Sequence, residues 1–381
     1  MAATAQTLPH TPGLAPGLEP DHALESRVAG LVRDQLAPQT VAIDRQGVYP
    51  SGFMHELGAL GGYSQHIPSR RDNAGHDFPM AIQLMETVSR ECMSTGFCVW
   101  CQDALAWYLE NADNPEAKQT LLPRIASGEL LGGTGLSNGM KHLADIEALK
   151  IRVRPVEGGY IANGTLPWVS NLAAEHAFAA IFQVEDSDRK VMAVTFCDQP
   201  GFSLQQCAEF TALEGSGTYA CHFRDAFIPD AHVITHDISG FIPRIRSGFV
   251  LLQMGMGLGV VQGCIDIMQE MAATHAHVNR YLDDQPAALT DALDDARNAT
   301  RALGREIGDP SDELFADVLQ LRHTASELSL RASQAAMLHA GARGYLANAP
   351  GQRKLRESYF VAIVTPAIKH LRKELERLGA H

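Results

Sequence analysis

Trp168 and Ser170 are the residues whose types and spacing most readily do chemistry. One residue apart in an extended segment, they point to the same face and offer a flat apolar wall beside a hydroxyl donor. A planar heteroaromatic ligand needs both. They close the run Gly158 to Asn171, which begins as a hairpin: Val153 to Val156 and Tyr160 to Ala162 are β-prone and flank a Glu-Gly-Gly turn where glycine accepts positive φ.

The elements around this wall change character twice. Residues 1 to about 22, rich in Pro, Ala and Thr, read as a loose N-terminal arm. Residues 23–130 read as a helical domain, with apolar periodicity over Leu24 to Ala37, Ser51 to Leu60, Pro79 to Thr95, Cys98 to Asn111 and Pro115 to Ser127. Residues 131–236 carry short β-rich runs separated by Gly, Asp and Pro turns. They include Phe178 to Gln183, Val191 to Cys197 and Thr218 to Arg224. Residues 237–381 return to long helical patterns, near Phe249 to His275, Ala287 to Ile307, Asp312 to Leu338 and Lys354 to Leu378.

Composition excludes some functions. A chain of 381 residues with 45% hydrophobic content buries a large core, and its net charge of −13 provides no basic stripe for a nucleic-acid backbone. No signal-type segment is apparent, and no stretch approaches the roughly 20 apolar residues of a membrane span, so a cytoplasmic protein is expected. Seven cysteines include the pair Cys98 and Cys101. With no second pair of that spacing, no zinc site is expected, and the two read as small residues of a buried helix.

The α, β, α order coincides with motifs that resemble the acyl-CoA dehydrogenase family over nearly the whole chain. Tyr160-Ile161-Ala162-Asn163-Gly164 through Trp168-Val169-Ser170-Asn171 is similar to the family's Y-I-x-N-G-x-K-x-W-I-T-N. Leu213 to Pro229 resembles its closing strand pair. Gly341-Ala342-Arg343-Gly344-Tyr345 with Leu355-Arg356-Glu357 resembles G-G-x-G-Y … x-R-D, and Leu122 to Leu131 resembles L-P-x-x-A-x-G-E-x-L. The implied fold is α+β: an N-terminal helical domain, a middle antiparallel β domain and a C-terminal helical bundle.

The resemblance also implies FAD, a substrate beside its ring, and a homodimer or homotetramer. Ser137, in Leu136-Ser137-Asn138-Gly139 where the family has its T-E-P segment to within a residue, Trp168 and Ser170 are the implied flavin contacts. Arg280 falls at the interface arginine that reaches a neighbouring subunit's FAD pyrophosphate, and Gly341 opens the glycine-rich turn. The family's G-S-D glycine and serine are replaced in Leu143-Ala144-Asp145, and the residues after Arg280 are Leu282 and Asp283 in place of Phe and Gly.

One part of the pattern is missing. Dehydrogenation of an acyl thioester requires a base at the α-carbon, yet the family's glutamate falls on Thr365 and its alternative falls near Phe249. Thr365-Pro366 reads as the N-cap and first residue of the last helix, with His370 beyond it a surface residue. His142 and His339 read as satisfied core or surface histidines.

Three readings follow. The first is an FAD-dependent oxidoreductase acting on an acyl-CoA or acyl-like substrate, with electron-transfer flavoprotein as partner. The second is a two-component monooxygenase or oxidase using reduced flavin or FMN, with a flavin reductase as partner. The third is a non-catalytic ligand-binding paralogue.

Overall fold

In the computed structural model, which describes residues 22–70, 75–206 and 208–380, helices flank a single sheet. The expected arm at residues 1–22 lies outside the described residues but for its last position. The N-terminal helices are α1 (His22–Leu31), α2 (Thr40–Gln46), α3 (Ser51–Ala59), α4 (Phe78–Glu91), α5 (Met93–Glu110) and α6 (Pro115–Ala126). Asp77 caps α4, accepting from the Met80 N–H, and Asn114 caps α6, accepting from the Glu116 N–H. The break between α4 and α5 falls at Cys92, whose extended backbone (φ −141°, ψ 106°) interrupts the helix earlier than the expected gap between Thr95 and Cys98.

Eight strands follow, together with one helix: β1 (Gly132–Thr134), α7 (Leu136–Leu143), β2 (Ile151–Val156), β3 (Gly159–Val169), β4 (Ala177–Val184), β5 (Lys190–Phe196), β6 (Phe202–Gln205), β7 (Tyr219–Pro229) and β8 (Val233–Thr235). The order is β6-β7-β3-β2-β4-β5-β8, with β1 on β4. The expected hairpin is present, Val156 opposite Gly159 across a turn in which Gly158 has φ +76°. The sheet is mixed rather than antiparallel, because β1 and β2 both pair parallel with β4. Those crossovers bring the end of β1, and α7 after it, to the side of β3.

The C-terminal helices are α8 (Ile238–Leu252), α9 (Met254–Asn279), α10 (Pro286–Glu306), α11 (Asp312–Ala340), α12 (Pro350–Ile363) and α13 (Ile368–Arg377). One break departs from expectation, where the run from Phe249 divides at Gln253; the other, around Thr365, falls close to where the last helix was expected to start. The α8–α9 stretch is long and apolar enough to cross a membrane, contrary to the sequence expectation, but 94% of its apolar window is buried in this protein. It is a core element.

One apolar core runs through both helical regions, and a second fills the sheet domain. Helix α9 packs on α4 and α11. A Cβ at Gly259 would lie 2.5 Å from Ser89 Cβ and 2.6 Å from the Glu86 carbonyl, so glycine is what lets α9 approach α4 this closely. Helix α5 is buried along its length, and Cys98 and Cys101 sit within it as unpaired buried thiols whose pKa burial pushes up.

A buried ionisable pair also lies in this core. His66 Nε2 donates to the Asp103 carbonyl at 2.9 Å, while His66 Nδ1 and both Asp103 carboxyl oxygens lack hydrogen-bond partners. Burial lowers the His66 pKa to about 4 and raises that of Asp103 well above its ordinary value. The fold therefore favours a protonated Asp103, a contribution present at low pH and lost as pH rises through the raised pKa. Asp103→Asn should raise stability at pH 8 by about 1–3 kcal/mol, with a smaller gain at pH 6. Denaturant unfolding at the two pH values measures the difference.

Candidate functional site

Position is set first at the end of β1. The Gly135 N–H donates to the Ala179 carbonyl at 2.7 Å, and the Leu136 N–H to Thr134 Oγ1 at 3.2 Å. Thr134 is itself held by the buried Tyr108 hydroxyl at 2.9 Å. A Cβ at Gly133 would meet the Ser170 carbonyl at 2.1 Å, and one at Gly135 would meet the Leu166 side chain at 3.1 Å. These glycines let β1 run directly against the segment that carries Trp168 and Ser170.

That segment is fixed by Asn171, which is fully buried at φ +63°. Its Oδ1 accepts from the Tyr49 hydroxyl at 2.5 Å, and its Nδ2 donates to the Gly132 carbonyl at 2.6 Å. The β3–β7 register shifts between Leu166 and Val169, so simple alternation does not hold here. Trp168 is 61% exposed, with Phe210 edge-on at a centroid separation of 6.5 Å. Ser170 is buried and shares a 2.6 Å hydrogen bond with Thr218, which also bonds Ser216. The expected common face is thus divided into an open indole and a recessed row of hydroxyls.

Ser137 stands in the first turn of α7, whose N-terminus has no side-chain cap. Its hydroxyl shares a 2.8 Å hydrogen bond with Thr365 Oγ1. The residue implied as a flavin contact and the residue expected at the place of the family's glutamate therefore meet, although they lie on different domains. Thr365 does not cap the last helix as expected. The N-cap of α13 is Ala367, because the Thr365 hydroxyl is taken by Ser137 and its carbonyl accepts from Gln253 Nε2 at 2.9 Å.

Phe249 lies one helical turn before Gln253 in a close aromatic cluster, 5.1 Å from Trp100 and 6.1 Å from Tyr108 between ring centroids. Among the described residues, no carboxylate is hydrogen-bonded to Ser137 or Thr365.

The remaining candidates lie elsewhere. Arg280 is exposed at the end of α9, its guanidinium 4.9 Å from the Tyr281 ring centre and donating to the Tyr281 hydroxyl at 2.8 Å. Gly341 ends α11 at φ +55°. Asn279 Nδ2 donates to the His339 carbonyl at 3.1 Å, so both residues occupy one end of the bundle. Gln253 and Thr365 are at the other end of α9, about 39 Å away at a rise of about 1.5 Å per residue. A single chain does not bring Arg280 or Gly341 to Ser137.

His370 is buried, not on the surface as expected, and desolvation lowers its pKa. His339 Nε2 donates to the Asp284 carbonyl at 2.8 Å, and His142 Nδ1 lies 3.3 Å from the Glu147 carbonyl.

Arg356 clamps Asp44 through two bonds of 2.9 and 2.5 Å and donates to the Thr211 carbonyl at 2.8 Å, tying the Phe210 loop to α12. Glu357 pairs with the buried Lys354 at 2.8 Å. Thr218, Gln253 and Phe210 were not found in the sequence, since their roles depend on contacts with residues distant in the chain.

The donor set fits a flavin ring. An open indole gives one stacking surface, and the N-terminus of α7 beside the Ser137 and Thr365 hydroxyls suits a polar ring edge.

Known proteins share this fold. Residues 19–129 match the acyl-CoA dehydrogenase N-terminal domain. The mitochondrial 2-methylacyl-CoA dehydrogenase of Solanum tuberosum is 23% identical over 368 residues, covering 90% of this chain and 87% of that protein. Butyryl-CoA dehydrogenase from Megasphaera elsdenii superposes with a TM-score of 0.82 at 16% identity, covering 98% of this chain and all of the other. Dibenzothiophene monooxygenase from Paenibacillus sp. A11-2 superposes with a TM-score of 0.79 at 14% identity, over 94% and 96% of the two chains. Residues 19–129 of the chain thus carry an acyl-CoA dehydrogenase N-terminal domain, and the whole chain has the acyl-CoA dehydrogenase fold.

Proposed function

We propose that the chain is a flavin-dependent oxidoreductase that holds FAD against Trp168, with Ser137 and Ser170 as polar contacts, and does not abstract an α-proton from an acyl thioester. When bound, the flavin supplies the electron transfer; the protein orients it and excludes water. The observation that carries the reading is the Ser137–Thr365 pair. A hydroxyl whose hydrogen bond is already shared with another hydroxyl is no general base near neutral pH, and the alternative position is a packed phenylalanine.

The relatives named for acyl-CoA substrates support a dehydrogenase. The missing carboxylate favours the other branch, in which reduced flavin reacts with oxygen and a flavin reductase is the partner. FMN in place of FAD is compatible with that branch.

Reconstitution tests the wall. Trp100 and Trp107 are almost fully buried, so FAD binding should quench chiefly Trp168. Trp168→Ala should weaken FAD binding by about 1–3 kcal/mol, the scale of ring stacking on an aromatic side chain. A protein that takes up neither oxidised nor reduced FAD would leave only the non-catalytic reading.

Self-association is part of the proposal. Tyr281, Leu338, Tyr345 and Leu346 are 64–84% exposed at the Arg280 end of the bundle, an apolar patch suited to a second copy. Such a partner is the route by which Arg280 and Gly341 reach a flavin held by another chain. Light scattering should give a dimer or tetramer, and Leu338→Asp with Tyr345→Asp should give monomers. A monomeric parent protein would contradict this.

A further inference from the structure

Arg322 is fully buried in the middle of α11, and no Asp or Glu pairs with it among the described residues. Its Nε donates to Gln253 Oε1 at 2.9 Å, one terminal nitrogen donates to Ser326 Oγ, and the other donates to the Val361 carbonyl at 2.6 Å. All three acceptors are neutral. Burial lowers its pKa to about 10, which leaves it cationic at neutral pH. An unneutralised buried charge costs several kcal/mol, and such groups concentrate where a charge is used.

The position of this charge suggests its use. Because Gln253 Oε1 faces Arg322, its amide nitrogen must face the Thr365 carbonyl, where it donates at 2.9 Å. Thr365 Oγ1 then meets Ser137. Arg322 also holds Val361, on the last turn of α12 just before that turn of chain. The guanidinium therefore fixes the Thr365 segment from two sides and lies one amide group behind it.

We propose that Arg322 is a positioning residue for this site: through Gln253 it locks the Thr365 segment onto Ser137, and its unpaired charge makes that end of the site favour a ligand with an anionic edge. This rests on the flavin reading, under which the favoured ligand form is reduced FAD, whose ring is anionic at neutral pH where the oxidised ring is neutral. The ratio of affinities for reduced and oxidised FAD is then set partly by a residue that touches neither.

Three variants separate the parts. Arg322→Gln removes the charge, Arg322→Lys retains it, and Gln253→Glu supplies the absent carboxylate in nearly the same volume. Binding of reduced and oxidised FAD is measured for each, together with hydrogen exchange of residues 364–369 in flavin-free protein.

The expected result is about a tenfold loss of preference for reduced FAD in Arg322→Gln and Gln253→Glu, equal to a fall of about 30 mV for two electrons, with Arg322→Lys close to the parent. Exchange at 364–369 should rise in Arg322→Gln while α4 and α9 stay protected. An unchanged preference overturns the charge role, and unchanged or uniformly raised exchange overturns the positioning role. If the parent binds no FAD, the flavin reading and the charge role that rests on it both fall, while exchange still decides the positioning role.

Discussion

Asn171→Ala should destabilise the protein by about 3–5 kcal/mol and abolish ordered binding at the Trp168 wall. The Tyr49 hydroxyl and Gly132 carbonyl would each lose a short bond, 2.5 and 2.6 Å, to the fully buried Asn171 side chain. Removing one partner of a buried bond costs about 1–3 kcal/mol, since the group left behind is desolvated and unpaired. Alanine at φ +63° adds about 1–2 kcal/mol of backbone strain that asparagine tolerates better. Asn171→Gly separates these contributions, because glycine accepts the conformation but restores neither bond. The urea midpoints should fall in the order parent, Gly, Ala. A Gly variant as stable as the parent would show that the two side-chain bonds carry little.

A comparable loss is expected from Lys354→Met. Lys354 and Glu357 are both about 2% exposed, and Lys354 Nζ donates to Glu357 Oε2 at 2.8 Å and to the Ser89 carbonyl at 3.0 Å. Glu357 Oε1 also accepts from the Met93 N–H at 3.2 Å, so this one pair joins α12 to α4 and α5. Breaking a buried pair leaves a charge uncompensated and costs about 3–5 kcal/mol.

Arg353, 3.8 Å from Glu357, places the loss toward the lower end of that range. Adding Glu357→Gln removes the stranded charge and keeps an acceptor for Met93, so the double variant should recover about half of the loss. Equal instability of the single and double variants would show that the stranded charge is not the cause. Denaturant midpoints of the three proteins decide it.

The sequence revealed those parts of the site whose signals are local. The Gly158 turn, the β-prone runs around it and the Trp168–Ser170 spacing are adjacent in the chain, and the hairpin formed where it was expected. The buried pair of thiols on α5 was also visible, and the count from Arg356 drew attention to Thr365. Less legible was what Thr365 does instead. Threonine before proline is a common helix start, and only the distant Ser137 and Gln253 divert its hydroxyl and carbonyl from that role.

The common face expected of Trp168 and Ser170 failed for a related reason. The register shift after Leu166 is set by pairing with β7, so the alternation rule ended within the motif. Arg322 had one sequence signal, a charged residue on a helical face shared with Val318, Leu319 and Ala325. Its partners, Gln253 and Val361, lie on two other helices. The break at Cys92 had no Gly or Pro to announce it.

The central claim is that this fold holds a flavin at a site with no base for an acyl thioester. Anaerobic titration of the FAD-loaded protein with butyryl-CoA, followed in the visible flavin spectrum, tests it most directly. The account predicts an oxidised spectrum that persists at saturating thioester; bleaching of the flavin band would contradict it.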